Sequence, residues 1–152
     1  MASPRLVRDG YCMTHLLHQI RVFVYRVAAG DPDYLILKPA QGIEALWGPI
    51  QGPLGFGEKL ESAIRRRVMR DTGMRAPAQL VDLEMPGRYL LGDEEIVEWN
   101  FGFHSTSHPD EERLKTNWAE HRWVNFSEAY PNLGLEADRA AIVRLHTFLG
   151  AA

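Results

Sequence analysis

An α/β fold, a mixed sheet sandwiched between helices, is predicted by three observations. Stretches rich in β-branched and aromatic residues recur between turn signals from Gln19 to Phe126. One segment without Gly or Pro, Lys59–Thr72, interrupts them, and a second apolar-striped segment, Glu136–Leu149, closes the chain. Strands in that number need a face covered, and helices placed in the middle and at the end can cover both faces.

Taken in order, Gln19–Val27 reads as a strand, Gly30-Asp31-Pro32-Asp33 as a turn and Tyr34–Lys38 as a second strand. Leu46–Ile50 is a candidate third strand, followed by the loop Gly52-Pro53-Leu54-Gly55-Phe56-Gly57. In Lys59–Thr72, Leu60, Ile64 and Val68 recur every fourth residue and form one apolar stripe, and Gly73 supplies the left-handed stop. Leu80–Glu84 and Ile96–His104 follow as strands; in the latter Trp99, Phe101 and Phe103 alternate with Asn100 and Gly102. Thr106–Glu112 reads as a polar loop and Glu120–Phe126 as a strand. The last helix is expected to turn Ala141, Ile142, Leu145, Phe148 and Leu149 inward, with Gly150 closing it.

The 152 residues suit one domain, 1–152, with residues 1–14 expected to be a loosely ordered N-terminal segment. A net charge of −3 gives no general pull toward nucleic acid or anionic membrane. Cys12 is the single cysteine, so an intrachain disulfide and a cysteine-based zinc site are excluded, and a cytoplasmic location is expected. No apolar run approaches the ~18 residues of a membrane helix, and Met1–Gly10 lacks the apolar core of a signal peptide.

The glycine-rich run is not a P-loop, because Gly57 is followed by Glu58 and Lys59, and it lacks the G-x-G-x-x-G order of dinucleotide folds. What precedes and follows it is more specific. Gly52, five residues, Glu58, seven residues, Arg66, then Val68, Gly73 and Met74 have the spacing of a Nudix box, G-x5-E-x7-R-E-U-x-E-E-x-G-U, where U is aliphatic. Leu46-Trp47-Gly48-Pro49-Ile50-Gln51-Gly52 is similar to the family's preceding strand, with Gln51 in place of the first of two glycines. Glu120-His121-Arg122-Trp123-Val124, then Ser127-Glu128-Ala129, resembles its E-x-x-W strand and the short helix after it. The resemblance runs from about Gln19 to Leu149 and is nearest to the dATP and dihydroneopterin triphosphate pyrophosphohydrolase branch.

The resemblance implies hydrolysis of a diphosphate linkage in a nucleoside diphosphate-linked substrate, with Mg²⁺ or Mn²⁺ neutralising the phosphate charge and activating water. It implies Asp71 and Glu120 as catalytic carboxylates and Asp71 and Glu58 as metal ligands. Gly52, Glu58, Arg66 and Gly73 are its frame-holding residues, Glu58 and Arg66 tying the loop to the helix. The three acidic positions on the helix, however, are Arg67, Arg70 and Asp71 here. A divalent ion ~6 Å from one guanidinium, at an effective dielectric near 20, feels roughly 5 kcal/mol of repulsion. Two arginines therefore oppose a metal of the usual kind.

Lys59, Arg65, Arg66, Arg67 and Arg70 against Glu61 and Asp71 make a basic helix on an acidic chain. Arg65, Arg67 and Arg70 read either as a solvated face or, for Arg67 and Arg70, as phosphate ligands, since guanidinium forks match phosphate oxygens. Glu120 likewise reads as a surface residue or an added catalytic group. The six histidines show no ligand spacing, and Trp47, Trp99, Trp118 and Trp123 read as core or pocket wall.

Two functions follow. The first is a divergent pyrophosphohydrolase with an impaired metal site. The second is a catalytically inactive module that holds a nucleotide or other phosphorylated ligand through arginines, with no metal. The expected partner is a small phosphorylated molecule, without membrane or general nucleic-acid binding; a homodimer is compatible with the sequence.

Overall fold

A computed structural model describes residues 15–40 and 46–150. The N-terminal segment 1–14, Cys12 included, lies outside the described residues. Seven strands and four helices follow in the order β1 (His15–Ala28), β2 (Asp31–Pro39), β3 (Ile50–Pro53), α1 (Leu60–Thr72), β4 (Gln79–Asp82), β5 (Gly87–Leu91), β6 (Glu94–His104), α2 (Glu111–Asn117), β7 (Trp118–Val124), α3 (Phe126–Asn132) and α4 (Glu136–Phe148).

The strands form one mixed sheet with the path β4-β6-β1-β2-β7, β3 added beside β1 and β5 beside β6. β1 and β6 run parallel from His15↔Glu94 to Tyr25↔His104; every other pairing is antiparallel. Because β6 holds one edge of β1 along this length, β2 and β3 must share the other. β3 takes it at Gln19–Val22 and β2 at Tyr25–Ala28, so β2 parts from β1 where β3 enters. That split positions the site.

Alternation sends one set of side chains to each face. Ile20, Val22, Val24, Leu35, Leu37, Phe101 and Phe103 meet Ala63, Ile64 and Val68 of α1. Phe23, Tyr25, Tyr34 and Ile36 meet Ala129 of α3 and Ala141, Ile142 and Leu145 of α4 on the opposite face. The sandwich is as the sequence predicts, with Leu60 partly buried at the rim of the α1 stripe.

Several boundaries differ. At Leu46–Ile50 only single bridges form, Leu37↔Gly48 and Trp47↔Leu133, and the strand begins at Ile50 and runs into the expected loop as far as Pro53. The turn is confined to Ala29-Gly30, and Asp31–Asp33 already pair with β1. β5 is a strand without a sequence expectation. Its residues Arg88 to Leu91 are exposed, so no buried alternation announces it, although Gly92 at φ 63° makes the hairpin turn into β6. The expected polar loop ends in α2, capped by Asp110, which accepts from the Glu112 amide at 3.0 Å, and anchored by one buried residue, Leu114. Phe148 is 60% exposed and does not join the inner face of α4. Among the described residues, no helix is long and apolar enough to cross a membrane.

Candidate functional site

The loop before α1 is pinned by one carboxylate. Arg66 donates from Nε to Glu58 Oε2 at 2.9 Å and from a terminal nitrogen to Oε1 at 3.0 Å, while the Gly55 amide donates to the same Oε1 at 2.9 Å. The Arg66 hydrogen bonds and the Gly55 amide hold the Glu58 carboxyl below its ordinary range. Gly73, in the left-handed region at φ 77°, ends α1 and donates its amide to Met69 O at 2.8 Å. A Cβ there would come within 2.8 Å of Asp110 Cβ, so glycine is required twice over.

Arg67, the residue after Arg66 on α1, reaches one turn along the helix to Asp71, Nε to Oδ2 at 3.1 Å. Asp71 is buried, and burial pushes its carboxyl above the ordinary range against the pull of Arg67 and, more weakly, Arg70. Arg67 lies across the backbone of β3. A Cβ on Gly52 would stand 2.7 Å from its Nε, so the glycine at the start of the box makes room for the guanidinium.

Two cavities open where β2 parts from β1 beside β3. The larger, about 620 Å³, is lined by Arg67, Arg70, Asp71, Gln51, Asn117 and Trp118 among others. The smaller, about 160 Å³, is walled by Trp47, Trp118, Leu46, Pro49 and Leu135, with Arg21 and Asp138 on its polar side. Gln51, Pro39 and Trp118 line both. The buried Nε1 of Trp118 has no hydrogen-bond partner among the described residues.

Glu120 stands elsewhere. It is opposite Lys38 in the β2–β7 register, and Lys38 continues the Tyr34–Ile36 side of β2, the face that carries α3 and α4. There its half-exposed carboxylate pairs with Lys38 Nζ at 3.2 Å, and that ammonium lies 4.9 Å over the Trp47 ring. The structure thus brings Arg67, Arg70 and Asp71 together in one cleft, keeps Glu58 with Arg66, and does not bring Glu120 to Asp71.

The carboxylates do not fit a magnesium or manganese site. Asp71 is engaged by Arg67, Glu58 by Arg66 and the Gly55 amide, and Glu120 faces the other way. Among the described residues, no three His, Cys, Asp or Glu side chains are placed to share an ion. Of the tryptophans, Trp47 and Trp118 wall the cleft, while Trp99 and Trp123 pack on the α1-side core.

A buried polar group that sequence reasoning missed adjoins the cleft. Arg21, on β1, is 6% exposed, and donates to both oxygens of Asp138 at 2.9 and 2.6 Å, to Glu98 at 3.3 Å and to Gln51 Oε1. Burial works to lower its pKa, and the two carboxylates outweigh it. An arginine inside a strand of apolar residues is the one sequence signal that could have marked it.

No family model and no curated protein sequence matches the chain. Solved structures do. The E. coli dihydroneopterin triphosphate pyrophosphohydrolase superimposes with a TM-score of 0.70 at 17% identity, covering 89% of this chain and 96% of the other. The C. elegans Ap4A hydrolase in a binary complex gives 0.68 at 16% identity, covering 88% and 98%. The Nudix domain of Shewanella oneidensis NrtR, complexed with ADP ribose, gives 0.72 at 13% identity, covering 93% of each chain. With α1 and its capping glycine, Gly73, in the register of the box, the chain has the fold of the Nudix hydrolases.

Proposed function

We propose that this Nudix-fold chain binds a nucleotide or other phosphorylated small molecule through Arg67 and Arg70, without a divalent metal. The observation that carries this reading is the Arg67–Asp71 ion pair in the cleft. A guanidinium occupies the carboxylate that would otherwise be offered to a metal. Arg67 and Arg70 together bring two positive charges to a cleft where, among the described residues, Asp71 is the one lining carboxylate. A phosphate entering there gains charge-assisted hydrogen bonds from the Arg67 fork, which Asp71 holds, and from the exposed Arg70. The ADP ribose held by the similar NrtR domain supports a nucleoside diphosphate as the kind of ligand to try first.

The test is a titration of ADP into the protein in chelator, repeated with Arg67→Ala and Arg70→Ala. Each change is expected to weaken binding by about 1.5–3 kcal/mol, the usual loss of a hydrogen bond to a charged group. Binding unaffected by both changes would remove the arginines from the ligand site. The rival hydrolase reading requires Asp71 freed from Arg67, and would declare itself as ADP-sugar or dinucleotide cleavage that depends on Mg²⁺.

A further inference from the structure

Gln51 stands at the junction of the two cavities and lines both. On β3 it lies opposite Arg21 of β1, whose terminal nitrogen donates to its Oε1. A guanidinium has only donors, so the amide oxygen is the end that faces Arg21 and the NH₂ is the end turned away. An amide orientation that is otherwise ambiguous is therefore fixed by chemistry. Arg21 has little freedom to move. Asp138 grips it through two hydrogen bonds at 2.9 and 2.6 Å, and Glu98 accepts a third at 3.3 Å. Gln51 is exposed while its side-chain oxygen is tethered to a buried, anchored cation. Gly52, the next residue of β3, faces Arg67, so alternation turns the Gln51 side chain to the Arg21 face, where its pre-oriented pair of N–H donors stands at the mouth of the Trp47-walled cavity.

We infer that Gln51 is a ligand-contacting residue whose Nε2 donates to a phosphoryl oxygen of the molecule held by Arg67 and Arg70, with Arg21 its positioning residue. The inference rests on the phosphate-binding reading above. It also narrows the ligand class to a phosphate ester, its phosphate at Arg67 and Arg70 and its organic group toward Trp47. The apolar walls of the smaller cavity favour an ester over the bare inorganic anion.

Two substitutions separate this role from a merely structural one. Gln51→Leu removes the donor; Gln51→Glu keeps an oxygen for Arg21, a better acceptor than the native one, but turns negative charge toward the cleft. With ADP and inorganic pyrophosphate as probes, in chelator, Gln51→Leu should weaken both about tenfold. Gln51→Glu should weaken both further, and ADP should bind the native protein more tightly than pyrophosphate. Melting temperatures should stay close to the parent, because the side chain is exposed. If Gln51 serves only to satisfy Arg21, the uncharged Gln51→Leu will bind both probes like the parent, and the inference is overturned. Arg67-dependent binding that survives both Gln51 changes overturns it alone and leaves the arginine site standing. A parent that binds neither probe overturns the reading and this inference together.

Discussion

Arg67 and Asp71 face each other across one turn of α1, Nε to Oδ2 at 3.1 Å, with the aspartate almost wholly buried and the arginine in the cleft. The pair gives the Asp71 carboxylate a cation of the protein's own. That relationship sets several expectations apart from those of a metal-dependent enzyme.

Replacing Asp71 with Asn is expected to strengthen anion binding. The amide oxygen still accepts from Arg67, and one negative charge leaves the cleft. After screening this is worth about 1 kcal/mol, roughly a fivefold gain in affinity for ADP in chelator. Were Asp71 a metal ligand, the same change would weaken binding and abolish any response to Mg²⁺. Calorimetry on the two proteins reads the sign directly.

Gly52→Ala is expected to disturb the same site from below. Its Cβ would meet the Arg67 side chain at 2.7–2.9 Å, and the arginine, not the strand, is the part free to yield. Moving the guanidinium off Asp71 should weaken ADP by about 1–2 kcal/mol, the order of one charge-assisted hydrogen bond. The expected melting temperature is near the parent's. Unchanged affinity would mean that the position of Arg67 over β3 does not matter to the ligand.

How far this site was legible in the sequence depends on how far apart its parts lie. Gly52, Glu58, Arg66 and Gly73 fall at the end of one strand, in the loop after it and along one helix, so spacing alone places them, and the structure finds Glu58 gripping Arg66 and Gly73 capping α1. Arg67, Arg70 and Asp71 share a face because a helix repeats every three to four residues. The Arg21 group could not be read in that way. Its partners lie 30, 77 and 117 residues away, and only the β1–β3 and β1–β6 pairings and the docking of α4 bring them together. The face that Glu120 takes was equally beyond reach of spacing. A strand residue's face depends on register, and a one-residue offset sends the side chain to the other side. The exposed β5 and the short, polar α2 escaped because neither buries a periodic apolar set.

His146 supplies a pH dependence. Its Nδ1 lies 2.7 Å from the Tyr34 hydroxyl and its ring stacks on Phe126 at 4.2 Å. Burial holds its pKa below the ordinary 6.5, with Asp31 opposing weakly. The folded state thus takes up this proton less readily than the unfolded chain. The stability due to neutral His146 is complete above pH 6.5 and is lost as pH falls from there through the lower folded value. Asp71 and Asp138, raised by burial, have the opposite sign and act equally in the comparison protein. Expressed as a melting-temperature difference, parent minus His146→Phe should therefore shrink between pH 7 and pH 5. A difference constant over that range would contradict the assignment.

The most direct measurement is the affinity of the unmodified protein for ADP with excess chelator, then with Mg²⁺, at low and high salt. Binding by Arg67 and Arg70 predicts that chelator does not weaken it, and that rising salt does, because exposed charges are screened. Affinity that requires Mg²⁺ or Mn²⁺, or metal-dependent turnover of a nucleoside diphosphate-linked substrate near an ordinary ~10 s⁻¹, would contradict the account at its centre.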